Sequence, residues 1–157
     1  MYKIIRLNRS SLAQLARVDM ESEHWLEKNL KLAKHKKVLI QRFNEKYELF
    51  FGFKEDGVLK GYVTLKPFFP GHKHCEIYWL AVSKKYQGQG IGTKLMRFIE
   101  GYAKRKGFGK ACLYTNKDCR DARGFYEKLG YKLINEFPGY YGYPKHATAV
   151  LYGKKLK

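Results

Sequence analysis

Gln87-Gly88-Gln89-Gly90-Ile91-Gly92 stands between a strand-like run, Ile77 to Val82, and a stretch of helical periodicity, Thr93 to Lys106. Three glycines on alternate positions leave a main chain with no side chains in front of it. Its N–H groups can converge on an anion, and the dipole of the helix that follows adds favourable potential at the same place. A strand, a stripped loop and a helix N-terminus in that order form a seat for a phosphate or pyrophosphate.

Three phosphate loops compete for this pattern. A Walker loop ends in Gly-Lys-Ser/Thr, whereas this one ends Gly92-Thr93-Lys94. A dinucleotide fingerprint needs a third glycine where Thr93 stands, and an acidic residue closing the next strand. Lys110 to Thr115 reads as that strand, and Asp118 follows too late. The nicotinamide reading is weak.

The Gln87-x-x-Gly90-x-Gly92 spacing, preceded by Val82-Ser83-Lys84-Lys85-Tyr86, resembles the acetyl-CoA loop of the GNAT N-acetyltransferases. That family's second hallmark is an aromatic-Tyr-Glu-Lys-Leu-Gly-aromatic run downstream, present as Phe125-Tyr126-Glu127-Lys128-Leu129-Gly130-Tyr131. Two motifs in the right order are specific. The resemblance covers Cys75 to the C-terminus well and the first seventy residues in outline. It implies the acyl-CoA N-acyltransferase fold, acetyl-CoA as cosubstrate, and transfer of acetyl to a primary amine by direct attack in a ternary complex.

Composition bounds the rest. At 157 residues one domain, 1–157, is expected. A hydrophobic fraction of 45% with 16% aromatics excludes disorder. No apolar run approaches the ~20 residues of a membrane helix, and Met1 to Leu7 lacks a signal peptide's apolar centre. A soluble cytoplasmic protein is expected. Cys75, Cys112 and Cys119 suit neither a disulfide framework nor a CxxC metal site, and His72 and His74 lack further ligands, so no metal is expected. The net charge of +18 favours polyanions: the coenzyme, nucleic acid or an acidic substrate. The lysines are spread along the chain, and a solvated surface is the rival explanation.

Periodicity and turn residues place the elements. Residues 3–8 read as an edge strand, and Ser10 or Ser11 caps a helix carrying Leu12, Leu15, Ala16 and Met20. A second helix is expected from about His24 to Lys36, with Trp25, Leu26, Leu30 and Ala33 inward. Tyr47 to Phe53 and Val58 to Leu65 flank an Asp56-Gly57 hairpin turn. A strand from Cys75 to Val82, the loop, and a helix burying Ile91, Leu95, Phe98, Ile99 and Tyr102 follow. After Gly107 come a strand, a helix from about Arg120 to Leu129, and strands 131–137 and 147–156. The result is an α/β (α+β) arrangement: a mixed central sheet of about six to seven strands flanked by helices.

The resemblance also assigns roles. Leu80-Ala81-Val82 lends its strand edge to the pantetheine arm, and a backbone N–H of Val82 or its neighbour holds the thioester oxygen. Gln87, Gly88, Gln89, Gly90, Ile91, Gly92 and Thr93 anchor the pyrophosphate. Tyr126 is the proton donor to the leaving thiolate; a phenol with a pKa near ~10 is protonated at neutral pH. Glu76 is the expected base, with His74, Tyr141 and Tyr143 in reserve. The family's pantetheine-binding asparagine falls at Cys119, a weak hydrogen-bond partner, so Asn116 is the candidate to replace it. Arg123, one turn before Tyr126, is a candidate for a phosphate, and Lys128 of the same motif is grouped with the coenzyme contacts.

The run Phe137-Pro138-Gly139-Tyr140-Tyr141-Gly142 resembles the substrate loop of the ribosomal-protein and protein N-terminal acetyltransferase branch. That branch places a glutamate where this chain has Tyr114. Tyr140, Tyr141 and Tyr143 are candidate walls of an acceptor pocket. A basic pocket would point to neutral or acidic acceptors, but lysines on the outer surface do not establish one, and the acceptor is not legible in these residues. A two-step route through Cys119 lacks a His-Asp partner in sequence. The partners expected are acetyl-CoA and an amine acceptor, a small molecule or protein amine, without a membrane and with nucleic acid not favoured; a homodimer through the last strands is also compatible. Two rivals remain: a non-catalytic coenzyme-binding module, and an RNA- or ribosome-associated protein.

Overall fold

A computed structural model of the chain describes residues 1–22, 31–141 and 147–157. The elements run β1 (Tyr2–Arg6), α1 (Leu12–Ser22), α2 (Leu32–Asn44), β2 (Leu49–Glu55), β3 (Val58–Lys66) and β4 (His74–Val82). After the glycine loop come α3 (Ile91–Arg105), β5 (Lys110–Asn116), α4 (Arg120–Lys128), β6 (Lys132–Phe137) and β7 (Ala149–Lys155). This is the order predicted from periodicity and turn residues. The strands form one 7-stranded sheet in the order β1-β2-β3-β4-β5-β7-β6.

Antiparallel hairpins build the first half. Asp56 and Gly57 both have positive φ (50° and 77°), the geometry of a two-residue turn whose twist matches its strands. The sole parallel pair among the described strands is β4–β5, because α3 carries the chain back across the sheet. Helix α3 buries Ile91, Leu95, Met96, Ile99 and Ala103 against one face of the sheet, where Phe51, Phe53, Val63, Leu65 and Ile77 meet them. Phe98 and Tyr102, expected inward, are only partly buried and pack on Phe51.

Helices α1 and α2 cover the opposite face, over Phe50, Leu59, Tyr62 and Ala81. Two expectations fail here for local reasons. The cap before α1 is Asn8, whose Oδ1 accepts from Ser10 N at 3.0 Å, and not a serine. Helix α2 runs later than expected, to Asn44, and buries His35, Leu39 and Arg42, leaving Ala33 exposed. Polar residues serve as its inner stripe, which a search for apolar periodicity passes over. Trp25, Leu26 and Leu30 lie outside the described residues. Met20 is 45% exposed, and Asp19 takes the inner position beside it, accepting from Tyr62 Oη at 2.5 Å and Trp79 Nε1 at 3.1 Å.

One buried ion pair ties α2 to the sheet. Arg42 Nε donates to Glu48 Oε2 at 3.0 Å, and a second bond joins Nη2 to Oε1. The guanidinium lies 5.1 Å from the Phe50 and Trp79 ring centroids and 5.4 Å from that of Tyr78. Truncating one partner strands the other charge in a dry setting. Glu48→Ala is therefore expected to lower the unfolding free energy by about 3–5 kcal/mol in urea titrations. The double variant Glu48→Leu with Arg42→Met should recover most of that loss; if it loses as much as the single variant, the pair is not the cause.

Candidate active site

The site is set by a fault in β4. Against β3, Thr64 pairs with Trp79 and Leu65 with Ile77, so Tyr78 is an extra residue, a β-bulge. An inserted residue turns every following side chain to the other face. Cys75 and Ile77 point to the α3 face before the bulge, whereas Leu80 and Val82 do so after it, and Trp79 and Ala81 turn to α1. Pairing with β5 stops at the same place: His74, Cys75 and Glu76 pair with Lys110, Ala111 and Cys112, and no further register continues. From Ile77 onward β4 and β5 diverge.

This divergence leaves an open strand edge. Ser83 N donates to Lys60 O at 3.0 Å, and in an antiparallel ladder such bonds alternate. Ala81 therefore turns its backbone groups to β3, while Leu80 and Val82 turn theirs to the gap. Ala81 is thus removed from the expected thioester and pantetheine contacts, since its N–H is spent within the sheet and its side chain is buried. The Val82 carbonyl accepts from Gln87 Nε2 at 2.9 Å, which bends the loop back over the strand end.

A cavity of about 600 Å³ lies against this edge, lined by Leu80, Val82, Tyr86, the loop from Gln87 to Thr93 except Gln89, and Ala122, Phe125 and Tyr126 of α4. Gly88 and Gly90 both have φ of 75°, where side chains are disfavoured, and a Cβ on either would meet only open space. Gly92 is needed for closeness, because a Cβ there would sit 3.3 Å from the Phe125 ring. The first hydrogen bond at the head of α3 is Lys94 N to Gly90 O, at 3.0 Å. The N–H groups from Gly88 to Thr93 have no acceptor among the described residues, and Gly90 as N-cap offers none. Asp121 is the lone charged residue of this lining. Anion attraction here comes from main-chain amides and the helix dipole.

A second cavity, about 300 Å³, fills the gap between the diverging strands. Glu76, Tyr78, Trp79, Tyr114, Tyr140 and Tyr141 wall it, and it shares Leu80, Ala122 and Tyr126 with the first. The stacked Tyr114 and Tyr140 rings, 4.9 Å apart, form one side. Among the described residues no lysine or arginine lines this cavity, and Glu76 is the charged residue of the lining. Burial raises the Glu76 carboxyl above the ordinary range, with Lys66 opposing and Glu48 adding to the rise. Its carboxylate makes no hydrogen bond or ion pair among the described residues.

Tyr126 stands where the two cavities meet. Burial, with Cys119 nearby, pushes its phenol up to about 12, so the proton is held at neutral pH. Phe125 and Tyr131 pack edge-on against it, fixing the ring. Its hydroxyl makes no hydrogen bond among the described residues.

The remaining expected residues lie outside both cavities. Arg123 donates through Nε to Tyr152 Oη at 3.1 Å and through Nη1 to Lys117 O at 3.2 Å, which turns it from the loop. Asn116 Oδ1 accepts from Asp118 N at 3.0 Å, shaping the turn into α4. Cys119 is the N-cap of α4, and burial with Asp118 and Asp121 raises its thiol, contrary to what a nucleophilic thiolate needs. Lys128 is exposed at the far end of α4, the Gln89 side chain bonds Lys85 O, and His74 bonds Pro70 O. Tyr143 lies outside the described residues. Among these residues no group of three or more His, Cys, Asp or Glu is placed to hold a metal, and no helix is long and apolar enough to cross a membrane.

The sequence profile of the acetyltransferase (GNAT) family matches residues 11–131, so the chain belongs to that family. Probable N-acetyltransferase 14 of Xenopus tropicalis is 38% identical over 73 residues, 46% of this chain and 35% of that protein. The chain thus spans about a third of the length of that curated relative. Two solved structures share the fold. The ribosomal-protein-S18-alanine N-acetyltransferase of Escherichia coli superposes with a TM-score of 0.82 at 17% identity, over 100% of this chain and 95% of that one. PaiA N-acetyltransferase of Thermoplasma acidophilum, solved in complex with coenzyme A, gives 0.78 at 22%, over 99% of each chain.

The left-handed glycines allow a direct test. A side chain at Gly90 costs about 1–2 kcal/mol in that conformation, relieved by moving the amides. Gly90→Ala is expected to weaken coenzyme A binding about 10-fold or more in calorimetry. Unchanged affinity would show that the amide loop is not the anchor.

Proposed function

We propose that this member of the acetyltransferase (GNAT) family transfers an acetyl group from acetyl-CoA to a primary amine by direct attack in a ternary complex. The observation that supports this most is the meeting of two cavities at one open strand edge, with a protonated phenol at the junction. The amide loop suits a pyrophosphate, and the open edge at Leu80 and Val82 suits an extended amide-bearing arm. The aromatic gap on the other side suits the acceptor.

In this reading Glu76 first takes a proton from the ammonium, directly or through water, which frees the nitrogen lone pair to attack the thioester carbon. The second proton that the nitrogen sheds returns to Tyr126 once that phenol has protonated the thiolate. The Leu80 N–H, free of β3 and bordering both cavities, stabilises the charge that grows on the carbonyl oxygen. As the carbon–sulfur bond breaks, Tyr126 donates its proton to the departing thiolate. Loop and strand belong to one rigid unit, so anchoring and orientation are supplied together.

The acceptor pocket favours a cationic amine on a slender stem. Tyr114, Tyr140 and Tyr141 supply aromatic walls of the kind that favour an ammonium, and Glu76 is the charged residue of the described lining, with Lys66 held against the Tyr78 ring at its border. A panel holding a polyamine, a lysine ester and a free peptide N-terminus, scored by release of coenzyme thiol, should give turnover with at least one member.

Two variants test the roles. Tyr126→Phe is expected to lower kcat by about 10²-fold or more while coenzyme A affinity stays within a factor of about two. For Glu76, the active form is the carboxylate and its pKa is raised, so kcat/KM should climb as pH rises through a limb above the normal carboxylate range. Glu76→Gln should flatten that limb. Tight coenzyme binding with no turnover on any amine would favour a non-catalytic module.

A further inference from the structure

A cavity of about 920 Å³ belongs to neither the coenzyme nor the acceptor site and shares no residue with them. It lies at the other end of the sheet. Helix α3 begins at the glycine loop and lines this cleft with Arg97 and Lys104, on the face away from its start. Lys110 opens β5, whose opposite end leads to α4 and the coenzyme cavity. Lys132, Lys154, Lys155 and Lys157 complete the wall. The one acid in the lining, Glu100, is already neutralised by Lys154 Nζ at 2.7 Å.

The cations are built in at a cost to the fold. Lys110 and Lys155 face each other directly across the β5–β7 ladder, and like charges in that position are destabilising. Gly153, opposite Cys112 on β7, makes room: a Cβ there would lie 2.8 Å from Lys110 Cε and 2.5 Å from Ile134 Cδ1. By strand alternation Lys110, Gly153 and Lys155 share the sheet face opposite Tyr152, Lys154 and Leu156, so the cleft draws its cations from both sides of the sheet at these strand ends. A solvated lysine surface requires neither arrangement. Nor does the coenzyme loop need this charge, because its own lining contains no lysine or arginine.

We propose that this cleft is a docking site for the phosphate backbone of a nucleic acid. The cations line a concave trough, which admits a convex cord of closely spaced phosphates and excludes a flat membrane. Binding through such contacts weakens steeply with salt and reads no sequence. Because the two sites lie at opposite ends of the sheet, nucleic acid and coenzyme bind together.

The test uses the whole chain and short fluorescein-labelled probes, single-stranded RNA and duplex DNA, followed by anisotropy from about 50 to about 200 mM salt. The triple variant Lys132→Gln, Lys155→Gln, Lys157→Gln removes three exposed charges of the cleft. A control, Lys34→Gln, Lys36→Gln, Lys37→Gln, removes three exposed charges from α2. Expected are a salt slope shallower by about 2 and affinity at least ~10-fold lower for the cleft variant, with little change in the control. Saturating coenzyme A should leave both probes bound, and Lys155→Gln alone should raise Tm by relieving Lys110. The tighter probe then identifies the nucleic acid. Equal losses in both triple variants, displacement by coenzyme A, or binding to phosphatidylserine vesicles in place of both probes would each overturn the proposal.

Discussion

Everything functional in this fold depends on one extra residue in β4. With Tyr78 bulged, the strand bends and twists where its bonds to β5 end. The gap that results would be unstable if left dry, because open backbone groups inside a sheet must find partners. Here they border two cavities, so the partners are left to water or ligand. Bulge, open edge and paired cavities are therefore a single feature. The same insertion sends Leu80 and Val82 to the coenzyme face and Trp79 to Asp19 beneath.

Rigidity around that gap is provided from both faces. Above, Ile91, Leu95 and Ile99 hold the head of α3, and its bare amides, against β3 and β4. Below, Asp19 receives Tyr62 and Trp79, and Arg42 with Glu48 lies against Tyr78 and Trp79. The bulge is flanked by buried polar groups that are satisfied only in one arrangement. Such networks contribute less to net stability than to a unique geometry, and a strand edge that orients a thioester needs the geometry.

The fold was legible where chemistry is local. The Asp56-Gly57 turn, the alternate glycines and the apolar stripe of α3 each demand a specific backbone, and element order followed from them. The loop glycines and Tyr126 were legible for the same reason, and they come together in the structure. The bulge was not, because Tyr78 sits inside an unbroken apolar run, where periodicity carries no mark of an insertion. Ala122 stood at helical spacing from Tyr126 and was readable as a cavity neighbour, but small residues send no chemical signal. Tyr114 was noticed only as a missing glutamate; its role as a wall depends on β5 parting from β4. Arg123 and Asn116 each engage a neighbour that sequence spacing does not reveal, Tyr152 and Asp118 respectively, and neither lines the described cavities.

Charge placement resolves a tension within the molecule. A chain carrying +18 favours anions overall, yet among the described residues neither cavity lining contains a lysine or arginine. Fields from exposed charges fade over about 8 Å at physiological salt, so what decides local attraction is the wall itself. Amides and a helix dipole attract the phosphates without adding a cation beside the acceptor. Glu76, its carboxyl raised by burial, is then the charge that the described lining would offer an incoming ammonium, with Lys66 opposing it from beside Tyr78. A lysine in the loop would bind phosphate more strongly and, a strand-width away, would repel the amine. Keeping lysine and arginine out of the described linings, although Lys66, Lys84, Lys85 and Lys94 stand nearby, is what would let adjoining pockets take a polyanion and a cation.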